Sequence, residues 1–479
     1  MNGLAKTIRM KLYNTLTRKK EEFRPIKKGK ASLYSCGPTV YWFAHIGNLR
    51  AYLFADVLRR TLEYSDVKTK FVMNITDVGH LTDDADAGED KMLVAMRREG
   101  KSAYDIADFY TQAFYRDLER MNIAFPKKFV KATDHIKEQI KMIQQIEKNG
   151  FAYRTSDGIY FDTSKLHAYG RLSGQKAEEK KAGARVEMGE KKHPTDFALW
   201  KFSPSGRGRG KREMEWDSPW GVGFPGWHIE CSAMSIKYLG VPFDIHTGGV
   251  DHIAVHHENE LAQTEAAEGK LQANVWMHSE FLTVDGGKMS KSLGNLYTLD
   301  DLMKPRGAGS GSAGKGYDPL AFRYLVLGAH YRSKLNFTFE ALDAAQNALT
   351  KLRETVRGWD KPKVGCAEYE EKFLAAIADD LDTPKALALV WQLVDDAAFS
   401  TAAKGKTLLK FDEVLGLGLK DYVAKPLQVP KTVMKLVLER EVARKTKQWA
   451  ESDRLRDTIA EKGFVVEDTA HGPNVREKR

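Results

Sequence analysis

A strand–turn–helix–strand succession over residues 31–76 is the feature that most constrains the fold. Residues 31–42, ASLYSCGPTVYW, form an apolar run broken by a Gly-Pro pair, and residues 49–65 carry apolar side chains at helical spacing with arginines opposite. KFVMNIT, residues 70–76, is a second strand-like run. A helix that links two such strands is a βαβ unit, which predicts a parallel sheet and an α/β fold of the Rossmann type.

The pattern then changes several times before a sheet resumes. Residues 89–149 are mostly at helical spacing, 152–162 has the pattern of a hairpin, and 165–225 is loop-rich and reads as an insertion between two sheet halves. Strands at 243–249 and 275–284, with a helix between them, predict the second half of the sheet.

The rest of the chain predicts helices and a separate tail. Residues 305–316 are a Gly/Ser-rich loop, 318–415 are helical throughout, and a prolyl linker at 425–431 precedes a helix over roughly 431–461. We therefore predict a first half of a Rossmann-type domain (1–125), a connective insertion (126–225), a second half of that domain (226–316), an α-helical bundle (317–424) and a small C-terminal domain (425–479).

Composition excludes some classes of protein. No apolar run approaches the roughly 20 residues of a membrane helix, so a spanning segment is not expected. The net charge of +10 permits a polyanionic partner without requiring one. Cys36, Cys231 and Cys366 are too few for a disulfide framework and fit a reducing, cytoplasmic compartment. The basic stretch before Glu21 lacks the apolar core of a secretory signal, and we expect it to lead directly into the folded domain.

The turn in CGPTVYWFAHIGNLR is a candidate anion site. His45 and Asn48 stand three apart where a strand gives way to a helix, and a helix N-terminus offers free N–H groups to an anion. An HxGN match alone more often marks an ordinary helix start.

The segment GGKMSKSLGN, residues 286–295, is a candidate mobile phosphate-binding loop. Lys288 and Lys291 are compact positive charges suited to a phosphate leaving group, and Ser290 and Ser292 stand beside them. A solvated basic loop is the alternative, but the HxGN turn upstream on a Rossmann-like unit disfavours it.

Four residues have the chemistry of zinc ligands. They combine two thiols, an imidazole and a carboxylate, and they are Cys36, Cys231, His256 and Glu260. The last two lie four apart, on one face of a helix. In HHENE the neighbouring His257 and Glu258 are alternative ligands, and lone cysteines or i,i+4 pairs are often structural.

The chain resembles class I aminoacyl-tRNA synthetases through HIGN followed by KMSKS, and within that class it resembles the cysteinyl-tRNA synthetases. The stretches that carry the resemblance include YSCGPTVYWFAHIGNLR, NITDVGHLTDDADAGEDKM, GWHIECSAMS, FDIHTGGVDHIAVHHENELAQ and GGKMSKSLGN. With KLYNTLTRKKEEFRPI and KATDHI they span most of residues 11–300, and residues 318–400 and the tail from about 431 also fit.

The resemblance implies ATP-dependent activation of L-cysteine to cysteinyl-adenylate and its transfer to the terminal adenosine of tRNA(Cys). It implies catalytic roles for His45, Asn48, Lys288 and Lys291. It implies ATP contacts from Gly47, Gly249, Asp251, Lys288, Met289, Ser290, Lys291 and Ser292, and substrate contacts from Gly37, Thr76 and Trp227. The family's pattern also implies one zinc ion on Cys36, Cys231, His256 and Glu260, Mg²⁺ bound with ATP, and a monomer.

Two other functions stay open at this point. A cysteine ligase of the same fold would join the adenylate to an amino-sugar, and a zinc-stabilised RNA-binding protein would have lost catalysis. Asn48 stands where many class I enzymes have a second His, and because Asn also donates a hydrogen bond we expect activity to persist. We further expect the basic run 206–212 to contribute to tRNA binding.

Overall fold

The computed structural model describes residues 9–79, 90–174, 189–203, 212–290, 293–305, 316–469 and 472–477. Its strands are β1 (Lys11–Asn14), β2 (Lys19–Glu22), β3 (Lys30–Ser35), β4 (Lys68–Ile75), β5 (Lys128–Lys131), β6 (Ala152–Arg154), β7 (Gly158–Phe161), β8 (Phe197–Phe202), β9 (Gly223–Pro225), β10 (Phe243–Gly249), β11 (Ala273–Ser279), β12 (Leu282–Val284), β13 (Leu335–Phe337), β14 (Phe464–Thr469) and β15 (Gly472–Glu477). Its helices are α1 (Ile46–Tyr64), α2 (Lys91–Glu99), α3 (Ala103–Arg120), α4 (Ile136–Lys148), α5 (Trp227–Leu239), α6 (His256–Glu268), α7 (Leu299–Met303), α8 (Pro319–Leu327), α9 (Phe339–Arg357), α10 (Ala367–Ile377), α11 (Thr383–Asp395), α12 (Thr401–Leu415), α13 (Lys431–Lys445) and α14 (Trp449–Glu461).

A five-stranded, all-parallel sheet is the centre of the fold. The strand order is β11-β10-β3-β4-β5. From β3 the chain adds β4 and β5 toward one edge of the sheet, and β10 and β11 are later added on the other side of β3. This confirms the predicted α/β class and Rossmann-type sheet. Strand order reverses between β3 and β10, and open α/β sheets bind ligands at that position, beyond the carboxyl ends of the strands.

Two local predictions were wrong, and a third, that residues 89–149 are mostly helical, was confirmed except for one strand. The segment predicted as mostly helical contains the edge strand β5, which is only four residues long and therefore too short to show a period. The strand predicted at 275–284 is two strands, because the chain leaves the central sheet after Ser279 and β12 pairs with β13 instead. The helix predicted at 431–461 is interrupted at Lys447, whose φ of 58° no helix accommodates.

The connective region is more ordered than the sequence indicates. The predicted hairpin is present as β6 and β7, and β8 and β9 extend it to a four-stranded antiparallel sheet. Trp200 of β8 is fully buried in the core beneath this sheet. Part of the segment predicted as loop therefore forms strands.

The basic run predicted to bind tRNA is only partly described. Arg212 is buried, forms an ion pair with Asp90, and lies with its guanidinium 3.4 Å from the centroid of the Phe224 ring. Because Arg212 is buried and paired, this member of the run does not support the predicted contribution to tRNA binding. Arg207, Arg209 and Lys211 lie outside the described residues, as does most of the Gly/Ser-rich loop predicted at 305–316.

The helical bundle is joined to the sheet domain by a buried ion pair. Arg323 of α8 donates to Asp56 of α1 at 2.8 Å, and neither side chain is exposed. The same guanidinium donates to the carbonyl groups of Met121, Asn122 and Leu415. One side chain thus ties together α1, the end of α3 and α12. Within the described part of the chain, no helix is both long and apolar enough to cross a membrane.

Replacing Arg323 by Met should destabilise the junction by about 3–5 kcal/mol, because Asp56 loses a buried partner and several carbonyls lose their donor. The measurement is the urea midpoint of the first unfolding transition. Lys372→Met, which removes an exposed i,i+4 pair with Glu368, is the control and should cost only about 0.3–0.5 kcal/mol. Equal midpoints for the two variants would contradict the structural role of Arg323.

Candidate active site and metal centre

A cavity of about 830 Å³ opens beyond the carboxyl ends of β3, β4, β10 and β11. Most of the site residues predicted from the sequence line it, namely Cys36, Gly37, His45, Gly47, Asn48, Thr76, Trp227, Cys231, Gly249, Asp251, His256, Lys288 and Met289. Glu260 lies just behind the wall and is fully buried. Ser290 does not line the cavity, and Lys291 and Ser292 lie outside the described residues.

The HIGN turn, residues 45–48, begins α1 with a reciprocal cap. Nδ1 of His45 accepts hydrogen bonds from the backbone N–H groups of Gly47 and Asn48 at 3.1 and 3.2 Å. The Asn48 carbonyl oxygen accepts from the backbone N–H of His45. Because Nδ1 is an acceptor, the neutral imidazole carries its proton on Nε2, and Asn48 keeps its amide N–H groups for another acceptor.

His45 is uncharged at neutral pH. Burial lowers the pKa of its imidazole to about 4, although the nearby Asp251 carboxylate opposes this shift. The HIGN turn therefore presents neutral hydrogen-bond donors toward the cavity. Such donors can stabilise charge that develops on a phosphate.

The KMSKS loop, residues 286–295, packs directly on the HIGN turn. A Cβ at Gly47 would lie 2.5 Å from the Met289 methyl group, so a larger residue would have to displace the Met289 side chain from the turn. Asn295 closes the loop on itself, accepting from the backbone N–H of Ser290 and donating to the Lys288 carbonyl at 2.9 and 3.2 Å. The two predicted nucleotide motifs are thus in contact.

Two thiols, an imidazole and a carboxylate meet at the floor of the cavity. The ligand atoms of Cys36, Cys231, His256 and Glu260, called here the thiol cluster, all lie within 4.8 Å of one another, and all four residues are buried. The two sulfurs are 3.8 Å apart, and Oε1 of Glu260 lies 3.4 Å from the Cys36 sulfur and 3.0 Å from Nε2 of His256. The donor set and its spacing suit a metal ion.

Glu260 uses its two oxygens differently. Oε1 faces the thiol cluster, whereas Oε2 accepts hydrogen bonds at 3.0 Å from His246 and from Gln272. Burial opposes ionisation of this carboxyl, but His246 and His256 outweigh it and hold its pKa below the usual value. The partners behind the carboxylate fix its orientation, as outer partners of metal ligands commonly do.

A second group of ligand atoms overlaps the first. Cys36, His246, His257 and Glu260 also lie within 4.8 Å of one another. In this group, however, Nδ1 of His257 is hydrogen-bonded to His278 at 2.8 Å, and His246 already holds the outer carboxylate oxygen. The thiol cluster contains both sulfurs and borders the cavity, so we favour it.

Further predicted substrate residues surround the thiol cluster. The centroid of the Trp227 ring lies 4.4 Å from that of the His256 imidazole, and the two ring planes are tilted by 32°. Thr76 donates to Glu230 at 3.3 Å at the end of β4. A Cβ at Gly37 would overlap the Asn74 carbonyl, so the close approach of β3 and β4 beside the cavity requires glycine there.

Sequence reasoning missed four residues at this site. Lys91 and Lys334 line the cavity, and His246 and Gln272 support Glu260. Lys91, His246 and Gln272 stand in or near stretches that carry the family resemblance, but no local pattern assigns them a role. Their roles are indicated only by their distances from the cavity and from Glu260 in the folded chain.

Two family models match the chain. One described as "tRNA synthetases class I (C) catalytic domain" covers residues 22–347, and one described as "Cysteinyl-tRNA ligase anticodon binding domain" covers residues 428–476. Among solved structures, methionyl-tRNA synthetase of Mycobacterium tuberculosis bound to methionyl-adenylate aligns with a TM-score of 0.52 at 15% identity, over 82% of this chain and 92% of its own. LeuRS of Agrobacterium radiobacter, solved in a complex with tRNA, aligns with a TM-score of 0.56 at 11% identity. The alignment covers 83% of this chain and 85% of LeuRS. These neighbours show that the fold is that of class I tRNA synthetases.

Curated relatives narrow this class further. "Cysteine--tRNA ligase 1" of Burkholderia lata is 52% identical over 462 residues, which cover 96% of this chain and 95% of that protein. "Cysteine--tRNA ligase" of Treponema denticola is 43% identical over 96% of this chain and 98% of that protein. The chain therefore belongs to the cysteine–tRNA ligase family, and the resemblance stated from the sequence is confirmed.

Gln272→Met should lower metal affinity about 10- to 100-fold, because Oε2 of Glu260 loses a donor while the four ligands remain. The measurement is retention of bound metal against a graded series of chelator concentrations. Gln139→Met is the control, since Gln139 is equally buried but donates to the Ala132 carbonyl, away from the cluster. Unchanged retention in the Gln272 variant would contradict the supporting role.

Proposed function

We propose that the protein charges tRNA(Cys) with L-cysteine in two steps, with cysteinyl-adenylate as the intermediate, and that zinc on the thiol cluster selects the substrate. The observation that carries this proposal is that the thiol cluster opens into the same cavity as the HIGN turn and the KMSKS loop. A soft-ligand metal site and two phosphate-binding motifs share one substrate-sized space.

In the first step the cysteine carboxylate attacks the α-phosphate of ATP. A bond forms between a carboxylate oxygen and phosphorus, and the bond to the pyrophosphate leaving group breaks. Nε2–H of His45 and the amide of Asn48 donate to the phosphate oxygens, while Lys288 and Lys291 stabilise the leaving group. Mg²⁺ enters with the ATP phosphates.

Asp251 and Gly249 serve the nucleotide on the other side of the cavity. Asp251 is exposed at the end of β10, where its carboxylate can accept a hydrogen bond from a ribose hydroxyl. A Cβ at Gly249 would overlap that carboxylate, so glycine leaves the acidic group free to take this position.

The residues of the thiol cluster fit zinc. They offer two sulfurs, one imidazole nitrogen and one carboxylate oxygen, all buried, and the carboxylate is held from behind. When bound, zinc would favour the thiolate of cysteine over the hydroxyl of serine, which shape alone distinguishes poorly. Trp227, packed against His256, would cover the bound amino acid.

The tRNA is bound at a distance from the cavity. The region that matches the anticodon-binding model contains α13, α14 and the β14–β15 hairpin, with Arg440 paired to Asp468. We propose that this unit reads the anticodon while the terminal adenosine reaches the cavity and takes the cysteinyl group from the adenylate. The monomeric state, the cytoplasmic location and the five domain boundaries stay predictions.

Cysteine-dependent ATP–pyrophosphate exchange, followed by charging of tRNA(Cys), tests this function. Exchange with cysteine, much weaker exchange with serine, and charging of tRNA(Cys) are expected. Exchange without charging, together with ligation to an amino-sugar, would instead identify a cysteine ligase of the same fold. Absence of exchange from zinc-loaded protein would overturn the proposal.

Cys231→Ser should reduce zinc content and raise the KM for cysteine far more than the KM for ATP, because a soft ligand is replaced by a hard one. Zinc per chain and both KM values are the measurements. Cys366→Ser is the matched control, since Cys366 is also a buried thiol but lies in the helical bundle. Parallel increases in both KM values would argue against a thiolate-specific site.

Deleting residues 425–479 should leave pyrophosphate exchange close to the wild-type rate, because the cavity-lining residues all precede residue 335. Charging should fall sharply through a higher KM for tRNA. The two assays on one preparation separate the effects. Normal charging by the shortened protein would exclude anticodon recognition by this unit.

A further inference from the structure

Lys91 lies on the cavity wall beside the thiol cluster. Its Nζ is 5.5 Å from the centroid of the Trp227 ring and 5.9 Å from that of Tyr41. The Trp227 ring in turn packs against the His256 imidazole of the thiol cluster, with 4.4 Å between the ring centroids. Among the described residues, the other lysines that line the cavity are Lys288 and Lys334, which belong to the KMSKS loop and to the chain entering β13. Of these three lysines, Lys91 lies over a ring that packs against the thiol cluster.

Buried contacts hold the backbone at Lys91 in place. Asp90 caps α2 by accepting from the N–H groups of Met92 and Leu93, at 2.7 and 3.2 Å. The same carboxylate is paired with the buried Arg212, whose guanidinium also donates to the Gly79 carbonyl. Segments from three parts of the chain thus fix the residue that precedes Lys91. Support of this kind is expected where a side chain must meet a ligand in a defined position.

We propose that the Lys91 ammonium binds the carboxylate of the amino-acid substrate. This inference rests on the proposed function, in which the substrate thiol lies at the thiol cluster and its carboxylate attacks the α-phosphate. Two anionic groups must then approach each other, and a lysine beside the nucleophile offsets their repulsion. Aromatic rings next to the ammonium favour the cation and keep water away, which strengthens its attraction for a carboxylate.

The test compares cysteine with cysteamine, which has the same thiol and amine but no carboxylate. Binding of each to zinc-loaded full-length protein is measured by calorimetry without ATP. Lys91→Met should weaken cysteine binding about 10-fold or more, the size expected for a lost hydrogen bond between charged groups, and leave cysteamine binding within about 2-fold. Lys91→Arg should retain part of the cysteine affinity.

Lys101→Met is the matched control. Lys101 also lies over an aromatic ring, with Nζ 4.8 Å from the Phe109 centroid, but it does not line the cavity. The Lys101→Met variant should bind cysteine and cysteamine with wild-type affinity. Equal losses for cysteine and cysteamine in Lys91→Met would mean that Lys91 only shapes the wall, and would overturn the inference.

The remaining outcomes separate this inference from the proposed function. Unchanged cysteine affinity with a raised KM for tRNA would place Lys91 against a nucleic-acid phosphate and overturn the inference, while the function stands. Wild-type protein that binds neither cysteine nor cysteamine would instead contradict the proposed substrate. A selective loss of cysteine binding in Lys91→Met supports the inference whether or not tRNA is charged.

Discussion

Parallel pairing of β3 with β10 is the constraint on which the site depends. Ser35 lies opposite Thr247, and the Cys36 N–H donates to the Thr247 carbonyl at 3.3 Å, just beyond the end of β3. The order of the strands, not their direction, reverses between β3 and β10, so the segments that leave their carboxyl ends diverge and open a crevice. Cys36 on one side and the glycines that end β10 on the other therefore border the same cavity.

A buried carboxylate organises the metal end of this crevice. Glu260 is enclosed by imidazoles, and charge is costly at such depth unless it is matched. Burial disfavours a proton on His256, yet Glu260 raises the pKa of this imidazole to about 10, which shows how strongly the site favours positive charge beside the carboxylate. A divalent cation satisfies the same requirement and uses the two thiols as well.

The nucleotide end is organised by contact between two motifs that are far apart in sequence. Met289 packs against Gly47, the Ile46 N–H donates to the Tyr297 carbonyl at 2.9 Å, and His45 is bridged to Thr298. The KMSKS loop and the segment that follows it therefore both contact the start of α1. Movement of the loop would therefore change the surroundings of the HIGN turn, which would couple the phosphate contacts proposed for the two motifs.

The sequence by itself determined the parallel α/β class, the two nucleotide motifs and the candidate ligands, because strand and helix periods and the chemistry of Cys, His and Lys are local properties. It did not determine β5, the break at Ser279 or the strands within 165–225, where short elements depend on neighbours for their pairing. It also could not assign Lys91, Gln272 or the burial of Arg212. Only the tertiary structure decided these, since a lysine or an amide acquires its role from the groups that the fold places within a few ångströms of it.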